Sequence, residues 1–176
     1  AVSEFEKQAF SQRFPSFSHK TTLVHRGVTI YDVSDEDKRE ALKSFGLEGN
    51  KVVLTVSRLA PYKGLEFLLQ SIPHVLKRRS DVVFAIVGED WGYEKRLRKM
   101  SRLLGVEESV RFLGLVYGAK LAALYKASDV YVMPSAFEAS GTTLKEALCY
   151  GVPVVATKVG LAPELLRDGE NGYLVD

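Results

Sequence analysis

The chain has a single cysteine, Cys149, so it can form neither an internal disulfide nor a clustered thiolate metal site, and it fits a reducing compartment. Its three histidines, His19, His25 and His74, lack metal-ligand spacing. No apolar run approaches the ~18 residues of a membrane span. The longest, such as Asp81-Val-Val-Phe-Ala-Ile-Val-Gly88, are strand-length. An excess of charge is missing as well. With 24 Lys and Arg against 22 Asp and Glu, the formal charge of +2 gives no overall footprint for nucleic acid, although a local basic patch stays open. Neither Gly-x-x-x-x-Gly-Lys-Ser/Thr nor Gly-x-Gly-x-x-Gly occurs after any strand-like run, which excludes the usual mononucleotide and dinucleotide fingerprints. The chain opens Ala1-Val-Ser-Glu4 with neither an initiator Met nor a charged leader, and stops at Leu174-Val-Asp176. It is therefore expected to be part of something longer.

What is present is an ordinary globular composition. At 176 residues, 46% hydrophobic and 26% charged, the chain suits one domain that buries about 70% of its unfolded surface. Short β-branched runs alternate with stretches of helical period, the signature of βαβ units and a mostly parallel sheet. The pattern predicts strands near 22–25, 51–57, 82–87, 109–113, 129–133, 152–156 and 172–175. Leu65, Leu68, Leu69, Ile72, Val75 and Leu76 recur three and four apart and predict a helix near 64–78. Further helices are expected at 93–104, 118–127 and 141–150, and one before Phe45-Gly46.

The runs Val52-Val-Leu-Thr-Val56, Val83-Phe-Ala-Ile-Val87 and Val152-Pro-Val-Val-Ala156 are apolar on both faces, so helices must cover both sides of the sheet. The expected fold is α/β, a Rossmann-like doubly wound parallel sheet, whose ligands lie beyond the carboxyl ends of the strands. The loops at 57–64, 88–93, 114–118, 134–141 and 157–163 then become the places to look for chemistry.

In the first of these loops, Ser57-Arg58-Leu59-Ala60-Pro61-Tyr62-Lys63-Gly64, two cations straddle a strand-to-helix turn. A helix amino terminus already favours anions, so Arg58 and Lys63 suit a phosphate or diphosphate; either alone also fits a solvated loop. In Pro134-Ser-Ala-Phe-Glu-Ala-Ser-Gly-Thr-Thr-Leu-Lys-Glu146, the residues Gly141, Thr142 and Thr143 open a helix and would present unpaired amides. If the span were helical throughout, Glu138 and Glu146 would be about 12 Å apart along the axis, too far for the roughly 5 Å carboxylate pair of a retaining hydrolase. Separate hydroxyl-binding carboxylates are the functional reading, and capping or surface roles the alternative. Trp91 is either a packed loop aromatic or a residue facing a cleft, and Cys149 is expected in the core. Lys95, Arg96, Arg98, Lys99 and Arg102 make a basic helix, either a solvated face or a contact to an anionic membrane.

Seven blocks in order carry a resemblance: Val56-Ser-Arg-Leu-Ala-Pro-Tyr-Lys-Gly64, Ile86-Val-Gly88, Val110-Arg-Phe-Leu-Gly-Leu-Val116, Ser128-Asp-Val-Tyr-Val-Met-Pro-Ser135, the Glu138-x7-Glu146 spacing, Gly151-Val-Pro-Val-Val-Ala-Thr157 and Asp168-Gly-Glu-Asn-Gly-Tyr-Leu-Val175. Together they resemble the carboxy-terminal half of a retaining glycosyltransferase of family 4, the glycosyl transferases group 1. The resemblance implies half of a two-domain GT-B fold. Residues 29–176 would bind a nucleoside-diphosphate sugar, UDP- or GDP-linked, and residues 1–28 would come from the end of an amino-terminal domain and its connection.

Carried onto matching positions, the resemblance makes Arg58, Lys63 and Glu138 catalytic. Arg58 and Lys63 would neutralise the leaving diphosphate, and Glu138 would bind hydroxyls of the transferred hexose. Val116, Ser140, Gly141, Thr142, Thr143 and Glu146 would bind the donor, with Glu146 on the ribose hydroxyls and the loop at Val116 at the base. No metal and no cofactor are implied beyond the donor itself. The acceptor, a sugar or a lipid-linked one, would sit on the amino-terminal domain, placing the protein in the cytoplasm or peripherally at the inner face of a membrane. The sequence departs from the family pattern at Ala139-Ser140-Gly141 and at Gly160-Leu-Ala-Pro-Glu164. A nucleotide-sugar epimerase of the same architecture and a non-catalytic binding module stand as alternatives.

Overall fold

The structure, a computed structural model, describes all 176 residues. Six parallel strands form one sheet: β1 (Lys51–Val56), β2 (Val82–Val87), β3 (Val110–Gly114), β4 (Val130–Met133), β5 (Val154–Thr157) and β6 (Gly172–Val175). Their spatial order is β3-β2-β1-β4-β5-β6. The helices are α1 (Glu4–Arg13), α2 (Asp35–Ser44), α3 (Leu65–Leu76), α4 (Glu94–Leu103), α5 (Gly118–Ala127), α6 (Thr142–Cys149) and the short α7 (Ala162–Leu165).

Alternation along the strands explains why both faces are covered. In β2, Val83, Ala85 and Val87 join one apolar cluster with residues of α2, α5 and α6, while Val82, Phe84 and Ile86 join a second with α3 and α4. The sheet is thus Rossmann-like and doubly wound, as the two-sided apolar runs predict. The predicted stripe of α3 buries Leu65, Leu68, Leu69 and Ile72, each contributing about 1.5–3 kcal/mol. Val75 and Leu76 are only partly covered, near the end of the helix. At the other end of the domain, a capping box of Ser34 and Asp37 starts α2, which packs on α5.

Some sequence expectations need correction. Residues 22–25 do not form a strand. Val24 is exposed, and the backbone of the segment pairs with the start of the chain, through Val24 N to Ala1 O (2.9 Å) and the terminal amine to Thr22 O (2.9 Å). β5 begins at Val154 rather than 152, because Pro153 has no N–H to donate to the ladder. Cys149 is exposed rather than in the core: α6 turns Leu144 and Ala147 inward, and position 149 falls on the outer face. The helices α1 and α7 were not predicted. α1 is capped by Ser3, whose Oγ accepts from Glu6 N at 3.0 Å, and buries none of its own side chains.

Candidate functional site

The strand order reverses direction between β1 and β4, so the loops after these two strands diverge and leave a crevice at their carboxyl ends. Two glycines set how tightly the loops close. A Cβ on Gly64 would lie 1.8 Å from Pro134 O, and one on Gly88 would lie 1.7 Å from Ser57 O. The loops after β1, β2 and β4 therefore touch backbone to backbone, and Gly64, in the left-handed region with φ 65°, also turns the chain into α3.

The crevice holds a cavity of about 230 Å³ lined by Arg58, Lys63, Ser135, Glu138, Thr142 and Thr143 among others. Lys63 is buried, and its Nζ donates to Glu138 Oε2 at 2.5 Å. Arg58 stays exposed, with its guanidinium over the Trp91 ring, 4.1 Å from the centroid, and within 5.9 Å of that of Tyr62. At the far wall α6 begins after Gly141, and the amides of Gly141, Thr142 and Thr143 donate to no carbonyl or side chain. The Thr143 hydroxyl accepts from Tyr131 Oη at 2.7 Å, and burial pushes the Tyr131 hydroxyl upward, which keeps it a donor. Ser140 is buried, and its Oγ has no hydrogen-bond partner. The structure thus brings Arg58, Lys63, Glu138, Thr142 and Thr143 to one cavity, whereas Ser140 and Gly141, both buried, do not line it.

Glu146 lies one turn further along α6 and opens onto a second cavity, of about 340 Å³, whose wall includes Thr142, Val28, Tyr31, Tyr117, Tyr125 and Tyr150. Thr142 lines both cavities. Tyr125 Oη donates to Glu146 Oε2 at 2.9 Å, and Tyr150 stacks on Tyr125 with centroids 5.9 Å apart. Burial pushes the Glu146 carboxyl above the usual glutamate range, against the lowering effect of the Tyr125 hydrogen bond and the Lys145 charge. Val116 is buried in the core, so beside this cavity the side chain that is presented belongs to its neighbour Tyr117. The tyrosine cluster escaped the sequence reading because its members are spread from position 31 to 150. Trp91, for which the sequence allows a packed loop aromatic or a cleft residue, is 54% exposed and packs on Arg58.

A larger cleft, of about 460 Å³, lies at the opposite ends of β4, β5 and β6, and Glu170 is its one charged lining residue. No cluster of three His, Cys, Asp or Glu side chains forms anywhere in the chain. No helix is long and apolar enough to cross a membrane.

Fold and site together define a class: a Rossmann-like domain with cations and a free helix amino terminus facing each other at the switch point of its sheet. Residues 37–176 match the model of the family described as glycosyl transferases group 1, and the chain belongs to that family. It is 31% identical over 189 residues to spore coat protein SA of Bacillus subtilis, covering 99% of this chain and 50% of that protein. It is 36% identical over 183 residues to the GDP-mannose-dependent alpha-(1-6)-phosphatidylinositol monomannoside mannosyltransferase of Mycolicibacterium smegmatis, covering 99% and 48%. Among solved structures, Anabaena Alr3699/HepE in complex with UDP and glucose superposes with a TM-score of 0.90 at 32% identity, over 99% of this chain and 48% of that one. The chain spans about half the length of the relatives it matches, and its sheet is the carboxy-terminal half of the GT-B architecture.

Proposed function

We propose that this chain is the donor-binding half of a retaining glycosyltransferase, which moves a hexose from a nucleoside-diphosphate sugar to an acceptor hydroxyl. The observation that carries the reading is the adjacency of two cavities along one helix, the first ringed by Arg58, Lys63 and the opening amides of α6, the second holding Glu146. The first suits a diphosphate. The second, with a carboxylate acceptor and several aromatic rings, suits ribose and base. That one similar structure holds UDP and glucose, and that one relative is named for GDP-mannose, agrees with a nucleotide-sugar donor.

On this reading, negative charge grows on the diphosphate as the glycosidic bond breaks. Arg58, Lys63 and the amides of Thr142 and Thr143 are held where they stabilise that charge better than reorganising water could. Glu138 anchors Lys63 through Oε2, which leaves Oε1 to accept a hydroxyl of the transferred sugar. Glu146 accepts from the ribose hydroxyls, while Tyr125 fixes the orientation of its carboxylate. Cationic side chains and helix amides do the charge-neutralising work that a divalent cation does elsewhere, so the reading calls for neither metal nor cofactor. The acceptor, a sugar or a lipid-linked one, belongs to a facing amino-terminal domain in a cytoplasmic enzyme. Residues 1–28 form the connection to that domain, and the first turn of α1 rests on this one, with Phe5 against Phe137 and Glu4 N donating to Glu164 Oε1 at 2.8 Å.

Calorimetric titration with UDP, GDP and ADP and their parent nucleosides tests the reading. We expect saturable binding of one diphosphate series, and Arg58→Ala or Lys63→Ala to weaken the diphosphate far more than its nucleoside. Equal losses for both ligands would overturn the assignment.

A further inference from the structure

Arg58 is exposed, yet it is held in place. Its Cζ lies 4.1 Å from the centroid of the Trp91 ring and 5.9 Å from that of Tyr62. It forms no ion pair: Glu138, the acid of the same cavity, is bound to Lys63, and Glu89 accepts from Trp91 Nε1 at 3.0 Å. The guanidinium therefore rests on aromatic faces alone, while Arg58 itself lines the 230 Å³ cavity.

The indole that supports it is fixed by backbone. Past the close approach at Gly88, a parallel bridge of Leu59 with Asp90 extends the β1–β2 ladder, through Leu59 N to Glu89 O (2.9 Å) and Trp91 N to Leu59 O (3.2 Å). Asp90 Oδ1 then accepts from Tyr93 N (2.7 Å) and Glu94 N (2.9 Å), tying the loop to the start of α4. Trp91 belongs to neither apolar cluster, so packing of the core does not account for its place.

We propose that Trp91 is a positioning residue for Arg58, and that it pre-orients the guanidinium to receive an anionic diphosphate; the inference rests on the donor reading above. Stacking occupies the face of a guanidinium and leaves its N–H donors free in the plane, the geometry that bidentate phosphate recognition uses. A side chain already stacked also gives up less rotamer freedom when the ligand arrives. Lysine at position 58 would have no planar face to stack and no fork to present.

The test uses wild-type chain, Trp91→Phe and Trp91→Leu, each checked for native circular dichroism, titrated with the nucleoside diphosphate that binds, UDP or GDP, and with its nucleoside. Trp91→Leu is expected to weaken the diphosphate about tenfold and leave the nucleoside unchanged, while Trp91→Phe, which keeps an aromatic face, retains most of the affinity. Trp91 is the sole tryptophan, so its emission should also differ between wild type and Arg58→Leu without ligand. Equal diphosphate binding by wild type and Trp91→Leu, parallel loss of the nucleoside, or an emission indifferent to Arg58→Leu overturns the proposal alone, provided Arg58→Ala still abolishes diphosphate selectivity. Failure of the wild-type chain to bind any nucleotide overturns the donor reading, and this inference with it.

Discussion

Lys63 and Glu138 form a largely buried ion pair, Nζ to Oε2 2.5 Å, that joins the loop after β1 to the loop after β4 across the switch point. Their side chains retain 8% and 20% of their exposure. Neither charge has another ionic partner there, so each depends on the other.

Removing one partner of such a pair strands the second charge. Lys63→Met is expected to lower stability by about 3 kcal/mol, the lower end of the range for buried pairs because Glu138 keeps some access to water. Adding Glu138→Leu should recover most of that loss. Urea denaturation of the two single variants and the double variant checks this, and simple additivity would show the pair to be uncoupled.

The glycines at the loop contacts are expected to differ sharply from other glycines with positive φ. Gly64→Ala and Gly88→Ala each drive a methyl group into a carbonyl oxygen less than 2 Å away, at 1.8 and 1.7 Å, and should cost on the order of 3 kcal/mol or more. Gly46→Ala, also at positive φ but with nothing within 4 Å of the new Cβ, should cost about 1–2 kcal/mol. Thermal melts of the three variants give the ranking directly.

Glu146 makes stability depend on pH. Its carboxyl holds a proton more tightly in the folded chain than in the unfolded one, so the native state carries the extra proton as pH rises above the usual 4.5. Stability should therefore fall from about that pH up through the folded value. Glu146→Gln, which can still accept from Tyr125 Oη, should remove this fall. A melting profile from about pH 4 upward with the same slope in both proteins would refute the assignment.

The start of α2 offers a local test. Ser34 accepts from Asp37 N at 3.1 Å and Asp37 closes the box by accepting from Ser34 N at 2.8 Å. Ser34→Ala should cost about 1 kcal/mol, measurable by urea denaturation, without affecting ligand affinity.

The sheet was readable from sequence because its signal is local. The two-sided apolar run Val83-Phe-Ala-Ile-Val87 requires helices above and below, and the structure supplies α5 with α6 and α3 with α4. That Arg58 and Lys63 would lie close together was readable too, since they stand either side of a strand-to-helix turn, and both line the 230 Å³ cavity. The Lys63–Glu138 pair was not readable, because its partners are 75 residues apart and meet only once the strand order is known. The same holds for Tyr125 with Glu146 and for Trp91 with Arg58. Cys149 misled for a different reason: an apolar-looking residue on a short helix has no neighbours in sequence to reveal which side it faces.

The two cavities share Thr142, and Glu146 follows four residues later on the same helix. At 1.5 Å per residue the backbone step is about 6 Å, and the hydrogen bond from Tyr125 Oη holds the Glu146 carboxylate at the far end. α6 thus works as a fixed gauge. On the donor reading proposed above, one ligand would have to meet helix amides at one end and the Glu146 carboxylate at the other, so the spacing of its groups would count before any base or sugar is read.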